Sequence, residues 1–391
     1  MKGLFLSILT ILCAAATALA CDGQDTTIVQ QQELYHSKFS PKQGDKQPNE
    51  PSKSDPNYWR WAALHQKLNL KDTTVIYPAF VKLCVDVYNW GDNTFNSYDT
   101  TYVQGTGKKW KISLRNDNWN DSYMLHFPSS TTVRMVSQVS SNIGFSLSYM
   151  ALSIGYMVDF DVIFGGKSLT HKKWDFQFSC SRFAIDAYAS KNTGSTLLQR
   201  ISNYNDDQWM NYPFNDINSE NYGIDLYYFF NNRKYSQSAA YTYSKIQKRS
   251  AGSFITGLMI SSQDISIDFS NLNNEMIAAL PEIDNLDYHF RYYDFCALVG
   301  YGYNQVLGKH WLFNITALPS LGIKHCLVLS EEGESYKFSA NIKAKTAFVY
   351  NCNNKLFVSF YGKFDLHWYS SQRYNFANVD SYFNFCAGWR F

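Results

Sequence analysis

The sequence predicts an all-β fold: a transmembrane antiparallel β-barrel with short periplasmic turns and longer extracellular loops. Three observations carry that prediction. The last ten residues, YFNFCAGWRF, put Phe383, Phe385, Ala387, Trp389 and Phe391 on one face and Tyr382, Asn384, Cys386, Gly388 and Arg390 on the other, because side chains alternate faces along a strand. The run 355–369, KLFVSFYGKFDLHWY, repeats this over a length of roughly 50 Å at about 3.3 Å per residue, more than an ordinary core needs. Tyr 29, Phe 28 and Trp 10 bring the aromatic share to 17% with charge held at 17%, which fits strands with interfacial girdles.

The elements follow from the N-terminus. Lys2, the apolar run Leu4–Leu12 and the small residues up to Ala18-Leu19-Ala20 read as a signal peptide over 1–20. No later stretch reaches the ~18 apolar residues of a spanning helix. Cys21, directly after the expected cut, is a lipidation candidate, although Ala18 stands where lipoprotein signals prefer Leu. Residues 21–72 read as a disordered periplasmic lead with a short helix at 57–70 bearing Trp59, Ala62, Ala63 and Leu70. The barrel is expected over 73–391.

Its first strand is expected at 75–90, VIYPAFVKLCVDVYNW, on its β-branched content. The segment 91–141 is ambiguous, since KWKISLR and YMLHF fit either strands or a loop. Hairpins are expected at 142–158 and 172–190, and strands at 220–231, 235–246, 251–269, 289–304, 310–327, 336–350 and 355–369. Short turns such as NNRK (231–234), LGKH (307–310) and NCNN (351–354) alternate with longer links at 191–219 and 270–288. The count comes to roughly 12 to 14 strands, with about 12 preferred because termini on one side require an even number.

Net charge is +2, falling to +1 without Lys2, so nothing points to nucleic acid. The mature chain keeps seven cysteines, an odd number without C-x-x-C spacing, which argues against a disulfide framework and against a zinc site. Neither metal nor cofactor is expected. The expected surroundings are outer-membrane lipid, lipopolysaccharide and the barrel-assembly machinery, in a bacterial outer membrane.

The stretch 231–257, NNRKYSQSAAYTYSKIQKRSAGSFITG, resembles a family of outer-membrane-like proteins known mainly from Bacteroidetes and catalogued as domain-of-unknown-function family 4421. Tyr77-Pro78 and the GFSLSY/LSIGY hairpin support the likeness, which spans about 72–391. The resemblance implies the barrel and its location in Gram-negative bacteria. It implies no reaction.

Within that stretch, Gln247, Lys248 and Arg249 form a basic turn before the small residues Ala251-Gly252. One reading gives them a lipopolysaccharide phosphate or another anion at the rim; the simpler one is a basic loop beside a glycine that relieves crowding. On the polar faces Asp225, Asp294, Lys343, Lys345, Lys363, Asp365 and His367 are expected to point into the lumen. None of the eight histidines sits in a nucleophile or zinc motif. His367 with Asp365 is the one acid-base candidate, and a structural lumen network is the simpler reading. Phe385, Trp389 and Phe391 are expected to be the assembly signal.

About 12 strands enclose a lumen that side chains largely fill, which disfavours a wide porin. The reading is a structural or narrow-channel barrel. The rivals are a lipid-active barrel enzyme and a secreted β-sandwich that binds glycans through exposed aromatics.

Overall fold

The structure is a computed structural model that describes residues 51–64, 69, 72–149, 152–160, 171–193, 196–281, 286–328, 335–370 and 374–391. The expected signal peptide, most of the lead and Cys21 lie outside the described residues. The chain divides into two compact units, 1–97 and 98–391.

The first unit holds helices α1 (Tyr58–Leu64) and α2 (Ala79–Phe95). On α1 Ala62 is fully buried and clusters with Tyr58 and Val75. α2 corrects the expectation of a first barrel strand at 75–90. Pro78 occupies its N-cap, where a missing N–H costs nothing. Val81 and Val85 then fall one turn apart with Val85 buried. β-branched content is a weak strand signal unless a partner strand is there to pair with.

The second unit contains one 15-stranded sheet and one two-stranded sheet. In chain order the strands are β1 (Val103–Gly105), β2 (Trp110–His126), β3 (Thr132–Ser137), β4 (Ser140–Tyr149), β5 (Leu152–Asp159), β6 (His171–Ser179), β7 (Phe183–Thr193), β8 (Thr196–Ile201), β9 (Tyr212–Phe214), β10 (Ile217–Phe229), β11 (Lys245–Gln247), β12 (Ala251–Asp268), β13 (Asp287–Leu307), β14 (Trp311–Cys326), β15 (Tyr336–Asn351), β16 (Leu356–Ser370) and β17 (Asn375–Arg390). Two short helices interrupt them, α3 (Gln237–Ala240) and α4 (Asn274–Ala279).

Three pairs of segments run on as single staves. β3 and β4 lie end to end along β2, and β9 with β10 lies along β8 with β7. From β10 the sheet runs through consecutive antiparallel neighbours to β17, which pairs with β2 over Lys111–His126. β3 then pairs with β8 from Val133↔Ile201 to Ser137↔Thr196. That pairing closes the sheet into a barrel at the end carrying the longer loops.

At the other end the wall is built differently. β5 adds to β4 and β6 adds to β7, so two half-length strands enter between staves that meet directly higher up. Among the described residues β5 and β6 do not pair with each other. Each leaves one edge facing the other across a seam.

The alternating faces lie as the sequence pattern predicts. On β15 and β16 Ile342, Phe348, Val358, Phe364 and Trp368 are exposed on the outer wall, and Lys343, Lys345, Lys363, Asp365 and His367 are buried inside. On β13 the outward row runs from Tyr293 through Phe295 and Val299 to Tyr301 and Tyr303, aromatic at both ends. Nearer the long loops the outward row turns polar, with His289 Nε2 2.7 Å from Asp264. Such polar groups are costly in hydrocarbon, so the apolar band stops short of them.

Two local expectations are corrected and one open alternative is resolved. Residues 235–246 form no wall strand: they fold into the lumen and include α3. Their alternation, YSQSAAYTYSKI, reflects polar contacts on both sides and no lipid face. The link 191–219 is largely strand, because β8 and β9 extend a hairpin past the apolar band. The ambiguous 110–126 stretch is the continuous strand β2.

Candidate functional site

At the long-loop end the lumen is filled by apolar side chains from opposite walls. Phe290 on β13 stacks on Phe376 on β17 with ring centroids 4.7 Å apart, and Phe214 stacks on Phe269 at 5.4 Å. Leu272, Met276 and Leu280, from the connection that carries α4, join the same buried cluster. Tyr123 Oη and Ser219 Oγ meet at 2.8 Å across the space.

Below this lies a belt of charge. Lys343 Nζ is 2.8 Å from Asp225 and 3.3 Å from Asp365, and Lys363 Nζ is 2.9 Å from Asp365. Lys345 pairs with Asp186, and Lys173 donates to Asp380 at 2.9 Å. Buried ions are tolerable only when paired, and the Lys343–Asp225, Lys345–Asp186 and Lys173–Asp380 pairs tie strands that are not neighbours. Asp294 accepts from Ser339 Oγ at 2.7 Å and Asn341 Nδ2 at 3.1 Å. All seven residues expected in the lumen are buried. His367, 2% exposed, has no hydrogen-bond partner for either ring nitrogen among the described residues. Asp365 is held by the lysines, so no Ser-His-Asp relay forms around His367.

At the short-turn end the inner segment 230–250 occupies the lumen. Ser236 caps α3 by accepting from Ala239 N. Asn304 Nδ2 donates to Ser236 O at 2.9 Å, Ser238 Oγ to Ser179 O at 3.1 Å, and Tyr241 Oη to Asn314. Lys111 Nζ donates to Thr242 O at 2.8 Å and Arg390 Nε to Tyr243 O at 2.9 Å. The segment is thus fastened to β2, β6, β13, β14 and β17.

The basic turn divides. Gln247 is buried and used up: its Oε1 accepts from Ser236 N at 3.1 Å and Asn304 Nδ2 at 3.0 Å, while its Nε2 donates to Lys234 O and Arg249 O. Lys248 and Arg249 are exposed. Lys248 N donates to Tyr102 O at 2.7 Å, next to the small β1–β11 sheet, and the Arg249 guanidinium lies 5.7 Å from the Tyr102 ring centre. Any rim ligand is left to Lys248 and Arg249.

The C-terminal residues close the β17–β2 joint. Phe391 N donates to Trp110 O at 2.9 Å and Trp110 N to Phe391 O at 3.1 Å. Phe385, Trp389 and Phe391 are exposed on the outer wall, whereas Arg390 between them turns inward, 2% exposed.

A cavity of about 710 Å³ lies inside the seam. β2 lines it with Lys111, Ser113, Arg115 and Asp117; β17 with Tyr382, Asn384 and Cys386; the inner segment with Tyr241 and Tyr243. Tyr156 on β5 and Trp174 on β6, which are 78% and 55% exposed, also line it. Sequence reasoning missed the β2 residues and Lys173, although Lys111, Ser113, Arg115 and Asp117 alternate with Ile112 and Leu114 in a readable pattern.

A family model described as a domain of unknown function, DUF4421, matches residues 97–391. The chain belongs to that family. The match begins where the second unit begins, so it covers the barrel with its inner segment. No curated protein matches the chain. Among solved structures, the outer membrane protease OmpT from Escherichia coli covers 72% of this chain and 97% of its own, with 7% identity and a TM-score of 0.32. The outer membrane protein OprG from Pseudomonas aeruginosa covers 75% and 99% with 8% identity and a TM-score of 0.23. Neisserial surface protein A covers 72% and 97% with 6% identity and a TM-score of 0.23. Values this low carry no argument about activity.

Proposed function

We propose that this DUF4421 member is an outer-membrane barrel whose interior is reached through its wall, with no open path along its axis. The observation that supports this reading is the pairing of a filled lumen at both ends with a β5–β6 seam, unpaired among the described residues, that leads to a cavity. Unpaired strand edges are costly in hydrocarbon, where no water satisfies them. A barrel that keeps such an edge beside a polar cavity has a use for it.

The outward aromatic rows suit contact with lipid and lipopolysaccharide, and the strand ending in Phe391 suits the assembly machinery. The experiment is envelope fractionation, gel migration with and without boiling, and planar-bilayer conductance of the purified barrel. Carbonate-resistant, heat-modifiable protein without a steady single-channel conductance is expected. A stable ohmic pore would overturn wall access, and soluble protein would revive the β-sandwich.

A further inference from the structure

We infer that the wall cavity binds an amphiphile with an anionic head group, the head against Lys111 and the alkyl chain leaving through the β5–β6 seam into the surrounding lipid. This deepens the wall-access reading and rests on it.

The head-group end is argued from charge. Lys111 Nζ donates to one carbonyl, that of Thr242, and lies 5.4 Å from the Tyr243 ring centre. Among the described residues it meets no carboxylate. The other lumen lysines named above differ in this respect, since Lys173, Lys343, Lys345 and Lys363 each sit on an aspartate. A part-buried ammonium with rings and a carbonyl for company is stabilised by an incoming anion. A second observation points the same way. The Tyr361 hydroxyl lines the cavity, its residue is 6% exposed, and it has no hydrogen-bond partner among the described residues. It supplies a second polar group on the cavity lining that is free to donate to a ligand.

The tail is argued from the wall. Tyr156 and Trp174, the lips on the two strands of the seam, both line the cavity and are both exposed, which assigns its opening to the gap between them. A cavity near 710 Å³ lies in the range of about 300–1,000 Å³ that small ligands occupy. It holds a head and the first part of a chain, with the rest extended past the lips.

The test uses the full-length mature barrel in neutral detergent and the fluorescent probe 11-(dansylamino)undecanoate. Saturable binding is expected. Palmitate and hexadecyl phosphate should both displace the probe, and the better of the two names the head as carboxylate or phosphate. Hexadecanol, with the same tail and no charge, should compete at least tenfold less well, and inorganic phosphate should not compete. Lys111→Met should weaken binding at least tenfold while heat-modifiable migration stays unchanged; Lys309→Ala, at an exposed turn residue, should leave binding unaltered. A photo-crosslinking residue at Trp174 should capture an alkyl probe more efficiently than one at Phe254, which is exposed on β12.

Absence of saturable binding, equal competition by hexadecanol, or an indifferent Lys111→Met variant would each overturn the anionic head group. Equal capture at Trp174 and Phe254 would overturn the exit route. These failures are separable from failure of wall access itself, which a steady conductance would reveal.

Discussion

Lys343 on β15 reaches Asp225 on β10 at 2.8 Å, joining strands four places apart round the sheet with both side chains fully buried. The same ammonium lies 5.0 Å from the Tyr188 ring centre, and Lys363 lies 4.8 Å from it. Cutting this pair strands a charge: Lys343→Met leaves Asp225 without its cation. The variant should lose about 3–5 kcal/mol of stability, read as a lower denaturant midpoint for the barrel refolded in micelles. Lys343→Met with Asp225→Leu should recover much of that loss.

Tyr188 can lie under those ammonium groups because Gly223 is opposite it. A Cβ on Gly223 would come within 2.3 Å of the Tyr188 ring. Gly223→Val should therefore push the ring out of place and cost about 1–3 kcal/mol. Gly308→Ala, in the tight β13–β14 turn at φ +68°, meets no atom and costs only backbone strain. A smaller loss for Gly223→Val than for Gly308→Ala would contradict the packing argument.

Gln247 and its basic neighbours should separate cleanly. Gln247→Ala removes four hydrogen bonds from the inner segment and should cost about 1–3 kcal/mol, with faster proteolysis within 230–250. Lys248→Ala and Arg249→Ala should leave the midpoint unmoved. If they also leave lipopolysaccharide binding unmoved, measured by co-purified phosphate, the rim-ligand reading fails.

Deleting Phe391 should lower the amount of protein in the membrane, and Phe391→Ala separates two causes. The deletion removes both the ring and the paired backbone bonds to Trp110. The alanine variant keeps the bonds and lacks the ring. Membrane levels that fall equally for both assign the effect to the ring, as an assembly signal requires. Normal levels of the deletion variant would refute any role.

Much of the wall was legible, because β15, β16 and β17 each carry one apolar and one polar row that a period of two exposes directly. The inside was legible in its membership and hidden in its pairings: parity puts Lys343 and Asp225 in the lumen, and only the curl of the sheet brings them together. The helix over 79–95 was missed because Val81 and Val85, four residues apart, satisfy both periods. The segment 235–246 was missed for a related reason. Its alternating aromatics look like a membrane strand, yet Tyr235 and Tyr241 spend their hydroxyls on Asn314, a contact between distant parts of the chain. The seam has no local signature at all, since β5 and β6 each look like ordinary hairpin arms.

The fastening of the inner segment has a meaning in time. Thr242 and Tyr243 give their carbonyls to Lys111, near the start of the barrel, and to Arg390, next to its last residue. Both bonds are held together only once the two ends of the sheet have met. The segment is therefore seated last, and its protection from protease or hydrogen exchange serves as a clock for completion: a barrel caught before its ends join is cleavable at 230–250, and a finished one is not.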